Sequence, residues 1–243
     1  MIGLSAQRMS GTLWLLPASL GDTPWEGFLP PATREAACRL THFVVENAKT
    51  ARHELKRLGL TQPLCTLDIR VLPEGPSPDA LRALLAPLFA GESVGLMSEA
   101  GCPAVADPGA ALVGVAHQMG IRIVPLVGPS SVLLGLMASG LNGQNFAFHG
   151  YLPVREPQRS RRIVELERES LREGRTQIII ETPYRNTQML AALLAACQST
   201  TRLCIASALT CADEFVRTLR VGEWRSAAMP ELHRRPTVFL FLA

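Results

Sequence analysis

Short runs of β-branched and apolar residues alternate along this chain with longer segments of helical periodicity. Such alternation is typical of α/β proteins, in which helices join parallel strands. The clearest helical segment is 78–90, where leucines at 81, 84, 85 and 88 follow the spacing of one buried helix face. The pattern therefore predicts an α/β fold in which each domain is a largely parallel or mixed sheet flanked by helices.

The same reasoning gives the order of the elements. Predicted strands are 12–16, 43–46, 66–72, 93–97, 121–127, 146–149, 176–181, 203–208, 214–219 and 237–242. Predicted helices are 32–40, 48–58, 78–90, 110–119, 131–138, 160–172 and 186–196. The segment Gly128-Pro129-Ser130 is a natural break, and it predicts one domain over residues 1–127 and a second over residues 128–243.

Composition excludes several classes of protein. With 243 residues, 47% of them hydrophobic and 19% charged, the chain has the make-up of an ordinary globular protein. The most apolar stretch, 124–141, is interrupted by prolines and glycines before it reaches the length of a membrane span. Because residues 1–10 do not resemble a signal peptide, we expect a cytoplasmic protein.

Cysteine and histidine are spread along the chain without a metal-binding spacing. None of the six cysteines forms a Cys-x-x-Cys pair, and the five histidines are equally scattered. We therefore expect no metal site and reduced cysteines.

Positive charge is concentrated in the second half. Residues 1–127 carry ten basic and eleven acidic side chains, whereas residues 128–243 carry fourteen and ten. Arg155, Arg159, Arg161 and Arg162 precede most of the acids of the following helix, which makes them candidates for phosphate contacts with a substrate. The alternative is a solvated helix whose arginines pair with Glu165, Glu167, Glu169 and Glu173.

Three loops of small residues follow predicted strands: 17–21, 98–109 and 128–131. Ligands of open α/β sheets bind beyond the carboxyl ends of strands, and small side chains let the backbone approach a ligand closely. Neither a Gly-x-Gly-x-x-Gly motif after the first strand nor a Gly-Lys-Ser/Thr motif is present, so dehydrogenase and P-loop interpretations lose their main support. Tight connections without a ligand remain the alternative.

Five ordered motifs carry a resemblance to a known family. They are Ser98–Gly109, Val124–Ser130, Ala138–Leu141, Phe146–Pro153 and Glu181–Arg185. In order and spacing the chain resembles the tetrapyrrole methylase superfamily, in its ribosomal RNA ribose methyltransferase branch. The resemblance implies a two-domain fold with S-adenosylmethionine in a cleft between the domains, a homodimer, and 2′-O-methylation of small-subunit ribosomal RNA.

The resemblance also implies site residues. Cofactor neighbours are expected at Pro17, Ser98, Gly101, Cys102, Pro103, Val105, Ser130, Ser131, Thr182, Ala206 and Pro236. Since the donor already carries a sulfonium charge, the reaction needs alignment and a base rather than a metal. Glu181, beside Arg185, is the first candidate for that base, followed by Glu99 and Glu46. A structural ion pair between Glu181 and Arg185 is the alternative interpretation.

This chain departs from the branch where substrate is expected. Ala18–Thr23 replaces Thr-Pro-Ile-Gly-Asn-Leu, Glu46–Lys49 replaces Glu-Asp-Thr-Arg, Ser207–Cys211 replaces Arg-Glu-Leu-Thr-Lys, and Tyr184 replaces a histidine. Because cations are lost where phosphates would bind, two alternatives stay open. One is a methyltransferase acting on a tetrapyrrole or another small molecule, and the other is a non-catalytic S-adenosylmethionine-binding paralogue.

Overall fold

The computed structural model describes residues 11–243, which form two units that divide between Pro129 and Ser130. The division falls two residues after the boundary expected from the sequence. Residues 1–10, for which the sequence predicts no signal peptide, lie outside the described residues. Among the described residues, no helix is long and apolar enough to cross a membrane.

The N-terminal unit is built on a five-stranded sheet in which every pairing is parallel, in the order β3-β2-β4-β1-β5. Its strands are β1 (Thr12–Leu15), β2 (His42–Val45), β3 (Asp68–Val71), β4 (Val94–Met97) and β5 (Arg122–Pro125). Its helices are α1 (Pro31–Cys38), α2 (Ala48–Arg57), α3 (Pro78–Leu84), α4 (Ala86–Phe89) and α5 (Ala110–Gln118). Short 3₁₀ turns lie at Trp25–Gly27 and Leu64–Thr66.

Successive side chains of this sheet enter two separate apolar cores. Phe43 and Val45 of β2 pack with residues of α1 and α2, whereas Val44 packs with residues of α3, α4 and α5. The sheet is therefore covered by helices on both faces, as is usual for an all-parallel sheet.

The predicted helix 78–90 is wrong in one respect, because the structure divides it into α3 and α4. Pro87 has no backbone N–H and cannot donate to the carbonyl of Ala83, four residues earlier. That carbonyl instead accepts from the Arg70 guanidinium at 3.3 Å. The leucine stripe still faces the core, with Leu81, Leu85 and Leu88 buried.

The C-terminal unit has a mixed sheet, in the order β6-β7-β10-β8-β9. Its strands are β6 (Phe146–Tyr151), β7 (Thr176–Ile180), β8 (Arg202–Ser207), β9 (Phe215–Arg220) and β10 (Thr237–Leu242). Its helices are α6 (Ser131–Ser139), α7 (Gln158–Glu173), α8 (Asn186–Ala196) and α9 (Val221–Trp224). Only β6 and β7 pair in parallel, and the other three pairings are antiparallel.

Helices α7, α8 and α9 cover one face of this sheet around a core that includes Phe239, Phe241 and Trp224. The indole of Trp224 is buried and donates to the Leu203 carbonyl at 2.8 Å, which satisfies its only polar group. Helix α6 packs against β8, β9 and β10. The short helix α9 carries no periodicity long enough to be predicted from the sequence.

The position of Glu167 differs from what the sequence predicted for the acids of α7. The interpretation of this helix as solvated placed Glu167 among the surface acids, but its side chain is buried. Its carboxylate accepts from the Thr201 hydroxyl at 2.5 Å and from the Gln198 N–H at 2.7 Å. These two bonds join α7 to the segment before β8.

Candidate active site

The order of the N-terminal sheet marks where a ligand site is expected. Strands β1 and β4 are neighbours, but their connections cover opposite faces of the sheet. Helix α1, after β1, packs in one apolar core, and α5, after β4, packs in the other. Connections that leave neighbouring parallel strands on opposite faces create a crevice beyond the carboxyl ends of the two strands. Here the crevice lies beyond Leu15 and Met97.

Two of the loops predicted from the sequence are hydrogen-bonded to each other at this crevice. Ala18, after β1, and Gly101, after β4, form an antiparallel bridge. The Ala18 N–H donates to the Gly101 carbonyl at 2.9 Å, and the Gly101 N–H donates back to Ala18 at 3.2 Å. Gly101 has a φ of 70°, which a residue with a side chain rarely adopts.

The loop after β5 joins the other two. A Cβ atom added at Gly128 would lie 2.3 Å from the Cβ of Pro17, so only glycine permits this approach. The Cys102 thiol donates to the Pro129 carbonyl at 3.3 Å. Within the N-terminal unit, the fold thus brings together the loops after β1, β4 and β5.

The loop after β4 also carries backbone strain. Ala104 and Ala106 have φ values of 66° and 65°, in the left-handed region that alanine rarely enters. Each such residue costs on the order of 1 kcal/mol, and strained positions of this kind cluster where proteins hold ligands. Between them, Val105 is 48% exposed.

A buried ion pair holds the loop after β1, and it was missed by the sequence analysis. Arg57 donates to the Glu54 carboxylate at 2.7 Å and to the Ser19 hydroxyl at 2.9 Å. It also donates to the carbonyls of Gly21 and Thr23. The helical i, i+3 spacing of the two charges was the available signal.

Three carboxylates meet at the edge of the same crevice. Glu46 follows β2, Glu99 follows β4, and Asp107 lies in the strained loop. Glu46 accepts from the backbone N–H of Glu99 at 3.1 Å, and the Thr50 hydroxyl donates to the Glu99 carboxylate at 3.1 Å. Glu46 and Glu99, both named in the sequence analysis, are therefore brought together.

Asp107 is the functional candidate that the sequence analysis missed. Its pKa is raised to about 6, because burial disfavours the charged form and Glu46, then Glu99, add like charge. A hydrogen bond with Ser98 opposes part of that rise. A carboxyl group with this pKa changes protonation state close to neutral pH.

The residues expected as cofactor neighbours in the N-terminal unit lie in the loops after β1 and β4: Pro17, Ser98, Gly101, Cys102, Pro103 and Val105. Burial, and then the charge of Asp107, raise the pKa of the Cys102 thiol. Cys102 is therefore a neutral hydrogen-bond donor rather than a nucleophile.

In the C-terminal unit, Ser130 and Ser131 lie at the start of α6. Ser130 is the N-cap residue, but its side chain makes no capping hydrogen bond, so it satisfies none of the first N–H groups of the helix. Such groups suit an anionic part of a ligand.

The other three expected neighbours lie along one edge of the C-terminal sheet. Thr182 follows β7, and the Pro236 carbonyl accepts from Ala208 N–H at 2.9 Å. Ala206 pairs with Val238 inside the sheet, and its side chain is fully buried. A ligand could therefore contact the backbone of Ala206 and the residues around it, but not its methyl group.

Glu181 and Arg185 form the ion pair that the sequence left as an alternative. One carboxylate oxygen of Glu181 accepts from Arg185 Nε at 3.0 Å and Nη2 at 2.6 Å. The same oxygen accepts from the Thr182 N–H at 2.6 Å. The side chain of Glu181 is fully buried, and its other oxygen has no hydrogen-bond partner among residues 11–243.

The four expected substrate-binding arginines differ in their partners. Arg159 pairs with Glu156 at 2.8 Å, and Arg162 pairs with Glu165 at 3.2 Å. Within the described part of the chain, Arg155 and Arg161 have no carboxylate within 4.0 Å. Arg161 also lines a groove of about 480 Å³ that residues of α7 and α8 form.

Metal coordination receives no support from the arrangement of side chains. Over residues 11–243, no group of three or more His, Cys, Asp or Glu side chains is placed to hold a metal ion.

Comparison with known proteins places this geometry in a family context. A family model described as Tetrapyrrole (Corrin/Porphyrin) Methylases matches residues 39–224. The relatives include proteins named ribosomal RNA small subunit methyltransferase I. That of Xylella fastidiosa (strain Temecula1) is 32% identical over 75% of this chain and 63% of its own length. That of Mesorhizobium japonicum is 42% identical over 56% of this chain and 45% of its own length. That of Escherichia coli O157:H7 is 29% identical over 95% of this chain and 77% of its own length.

Two solved structures have the same fold. The methyltransferase CobJ has a TM-score of 0.63 and 20% identity, over 96% of this chain and 94% of its own. The cobalamin biosynthetic enzyme CbiF, a cobalt precorrin-4 methyltransferase, has a TM-score of 0.63 and 14% identity, over 99% of this chain and 98% of its own. At these identities the likeness concerns the fold. The match covers less than two thirds of the Xylella and Mesorhizobium relatives.

Proposed function

The chain belongs to the tetrapyrrole methylase family, a family of methyltransferases, and on that premise we propose that it methylates a ribose hydroxyl of small-subunit ribosomal RNA with S-adenosylmethionine. The observation that carries the proposal is that three strand-end loops of the N-terminal unit contact one another at the carboxyl ends of β1 and β4. The names of the relatives supply the class of acceptor.

The residues of the crevice fit such a cofactor. Small residues and turned backbone at Gly101 and at 104–106 leave main-chain groups near the ligand, as a nucleoside requires. Bound S-adenosylmethionine supplies a methyl group on a positively charged sulfur. Glu46, Glu99 and Asp107 create a negative potential there, which favours a cationic ligand over an anionic one. In the C-terminal unit we assign further contacts to Ser130, Ser131, Thr182, Pro236 and the backbone of Ala206.

We assign the acceptance of the hydroxyl proton to Asp107. A general base works best when its pKa lies near the working pH, and the pKa of Asp107 is raised to about 6. Glu181, the first candidate from the sequence, is fully buried and bonded to Arg185. We therefore place Glu181 and Arg185 in support of the loop after β7, and Glu99 beside Asp107 as a like charge.

The C-terminal unit supplies cations for an RNA acceptor. Residues 128–243 hold fourteen basic and ten acidic side chains. Arg155 and Arg161 are the strongest candidates for phosphate contacts, because the protein does not already pair them within residues 11–243. Arg159 and Arg162 would have to exchange a carboxylate partner for a phosphate.

We further propose a cytoplasmic homodimer. Helix α6 exposes Leu133 (52%) and Met137 (79%), four residues apart and thus on one helix face. An apolar pair of this kind suits burial against a second copy. Sedimentation of the purified chain would measure the oligomeric state, and a monomer at micromolar concentration would contradict this part.

The test of the proposed function combines a binding and a transfer experiment. Saturable binding of S-adenosylmethionine is expected by calorimetry. Small ribosomal subunits from a strain lacking the modification are then incubated with methyl-labelled cofactor, with porphyrinoid precursors as the parallel acceptor. Label in the ribose of the RNA supports the proposal. Label in the porphyrinoid alone, or binding without transfer, contradicts it.

A further inference from the structure

The loop after β7 exposes an aromatic ring with a cationic side chain over it. Tyr184 is 66% exposed, and the guanidinium carbon of Arg234 lies 5.6 Å from the centre of its ring. The ring of His233 meets Tyr184 edge-on, with 6.0 Å between centroids and an interplanar angle of 75°. We call Tyr184, His233 and Arg234 the aromatic platform; all three belong to the C-terminal unit.

Backbone hydrogen bonds fix the two segments that form the platform. The Arg234 N–H donates to the Pro183 carbonyl at 3.0 Å, and the Asn186 side chain donates to the Arg235 carbonyl at 2.6 Å. Arg234 has a φ of 61°, a left-handed value that costs energy for a residue with a side chain. The platform is thus held in place before any ligand arrives, which lowers the entropy cost of binding.

The positive charge of Arg234 in the platform is not neutralised by a carboxylate of the described residues. The neighbouring arginines are neutralised, Arg185 by Glu181 and Arg235 by Asp213. Within residues 11–243, however, no carboxylate lies within 4.0 Å of the Arg234 guanidinium. An exposed ring with an unneutralised cation over it suits a ligand that has a flat group to stack on the ring and a negative charge close to that group.

We propose that this platform stacks an unpaired nucleobase of the RNA substrate on Tyr184, while Arg234 contacts the adjacent phosphate. The inference rests on the proposed function and specifies which part of the RNA is recognised. A single tyrosyl ring is about the width of one base, and stacking on it tolerates any base. Paired bases in a helix offer no free face, so the platform selects single-stranded loops or splayed nucleotides.

Fluorescence anisotropy with the full chain tests this. The probes are a labelled single-stranded RNA dodecamer of mixed sequence and a duplex of the same length. Tyr184→Ala should weaken single-strand binding about 5- to 150-fold, whereas Tyr184→Phe, which keeps the ring, should stay within about twofold. Duplex affinity should remain within about twofold in both variants.

The chain offers a matched control and a second variant. Tyr151 is the only other tyrosine and is 56% exposed, on β6, so Tyr151→Ala removes an exposed ring elsewhere and should leave single-strand affinity unchanged. Arg234→Gln should reduce the slope of log affinity against log salt concentration by about 0.7, the value for one phosphate contact on a single strand. Thermal unfolding of each variant checks that the fold is retained.

Several results would overturn the inference. Single-strand affinity of Tyr184→Ala equal to wild type would do so, as would equal losses for single strand and duplex. If Tyr184→Ala transferred methyl groups to small subunits with an unchanged KM, the platform would have no role in RNA recognition, and the proposed function would stand. Conversely, Tyr184-dependent binding of single strands by a protein that methylates no RNA would support the platform and contradict the proposed function.

Discussion

Two carboxylates lie in strand-end loops of this molecule and have opposite surroundings. Asp107, in the loop after β4, is half-buried and faces the like charges of Glu46 and Glu99. Glu181, directly after β7, is fully buried and bonded twice by Arg185. The difference teaches that the position after a strand does not define a role. A carboxylate crowded by like charge is ready to accept a proton, whereas one held by a cation stabilises a loop.

Replacement of Asp107, the carboxylate that faces like charges, should have the largest effect on turnover. Asp107→Asn removes the proton acceptor, so turnover should fall about 100- to 10,000-fold. Calorimetry should still show S-adenosylmethionine binding. The matched control is Asp79→Asn, which makes the same chemical change at an exposed position of α3 and should leave turnover unchanged. Turnover of Asp107→Asn near that of wild type would remove Asp107 from the mechanism.

Replacement of Glu181, the ion-paired carboxylate, should lower the stability of the protein and leave its turnover unchanged. Glu181→Gln leaves the partly buried Arg185 without its charge partner, so the free energy of unfolding should fall by about 2 kcal/mol. Turnover per folded molecule should stay close to wild type. Urea titration and initial rates on the same sample separate the two quantities.

A double-mutant cycle sharpens this result. Adding Arg185→Gln to Glu181→Gln should cost less than the two single losses combined, because the partners act on each other. A large loss of turnover in Glu181→Gln at unchanged stability would exchange the roles assigned to Glu181 and Asp107.

The smallest expected effect is a gain in stability. The folded pKa of Asp107, about 6, lies above the ordinary value of 3.8, so its ionisation destabilises the folded state progressively as the pH rises from 3.8 to about 6, and fully above that. Asp107→Asn should therefore stabilise the protein at pH 8, by about 1 kcal/mol after allowance for solvent screening. The gain should vanish below about pH 3, where the carboxyl is neutral in both states. Equal stability of the two proteins at pH 8 would contradict the cause assigned to the raised pKa.

Periodicity and loop composition were sufficient to predict most of the fold. The apolar run 93–97 indicated a buried strand, and β4 is present at Val94–Met97. The small residues after it indicated a ligand loop, and that part stays a prediction. The break at Leu85 went unpredicted because a leucine stripe records which face is buried, not whether hydrogen bonds continue past Pro87.

The candidate site was less accessible to sequence reasoning. Burial, and then the charge of Glu46, raise the pKa of Asp107. Glu46 is remote along the chain and comes near only because β2 and β4 are neighbouring strands. The aromatic platform likewise depends on tertiary structure that joins Tyr184 to Arg234. Charge crowding and stacking surfaces are properties of three-dimensional proximity, and one sequence does not record proximity.

The pH dependence of kcat/KM for methyl transfer to small ribosomal subunits tests the central claim most directly. If Asp107 accepts the proton, the rate should rise about tenfold per pH unit below about 6 and level off above pH 7, since the carboxylate is the active form. In Asp107→Asn the residual rate should lack this rise. A wild-type profile that is flat from pH 5 to pH 8, or the same rise retained in Asp107→Asn, would contradict the account.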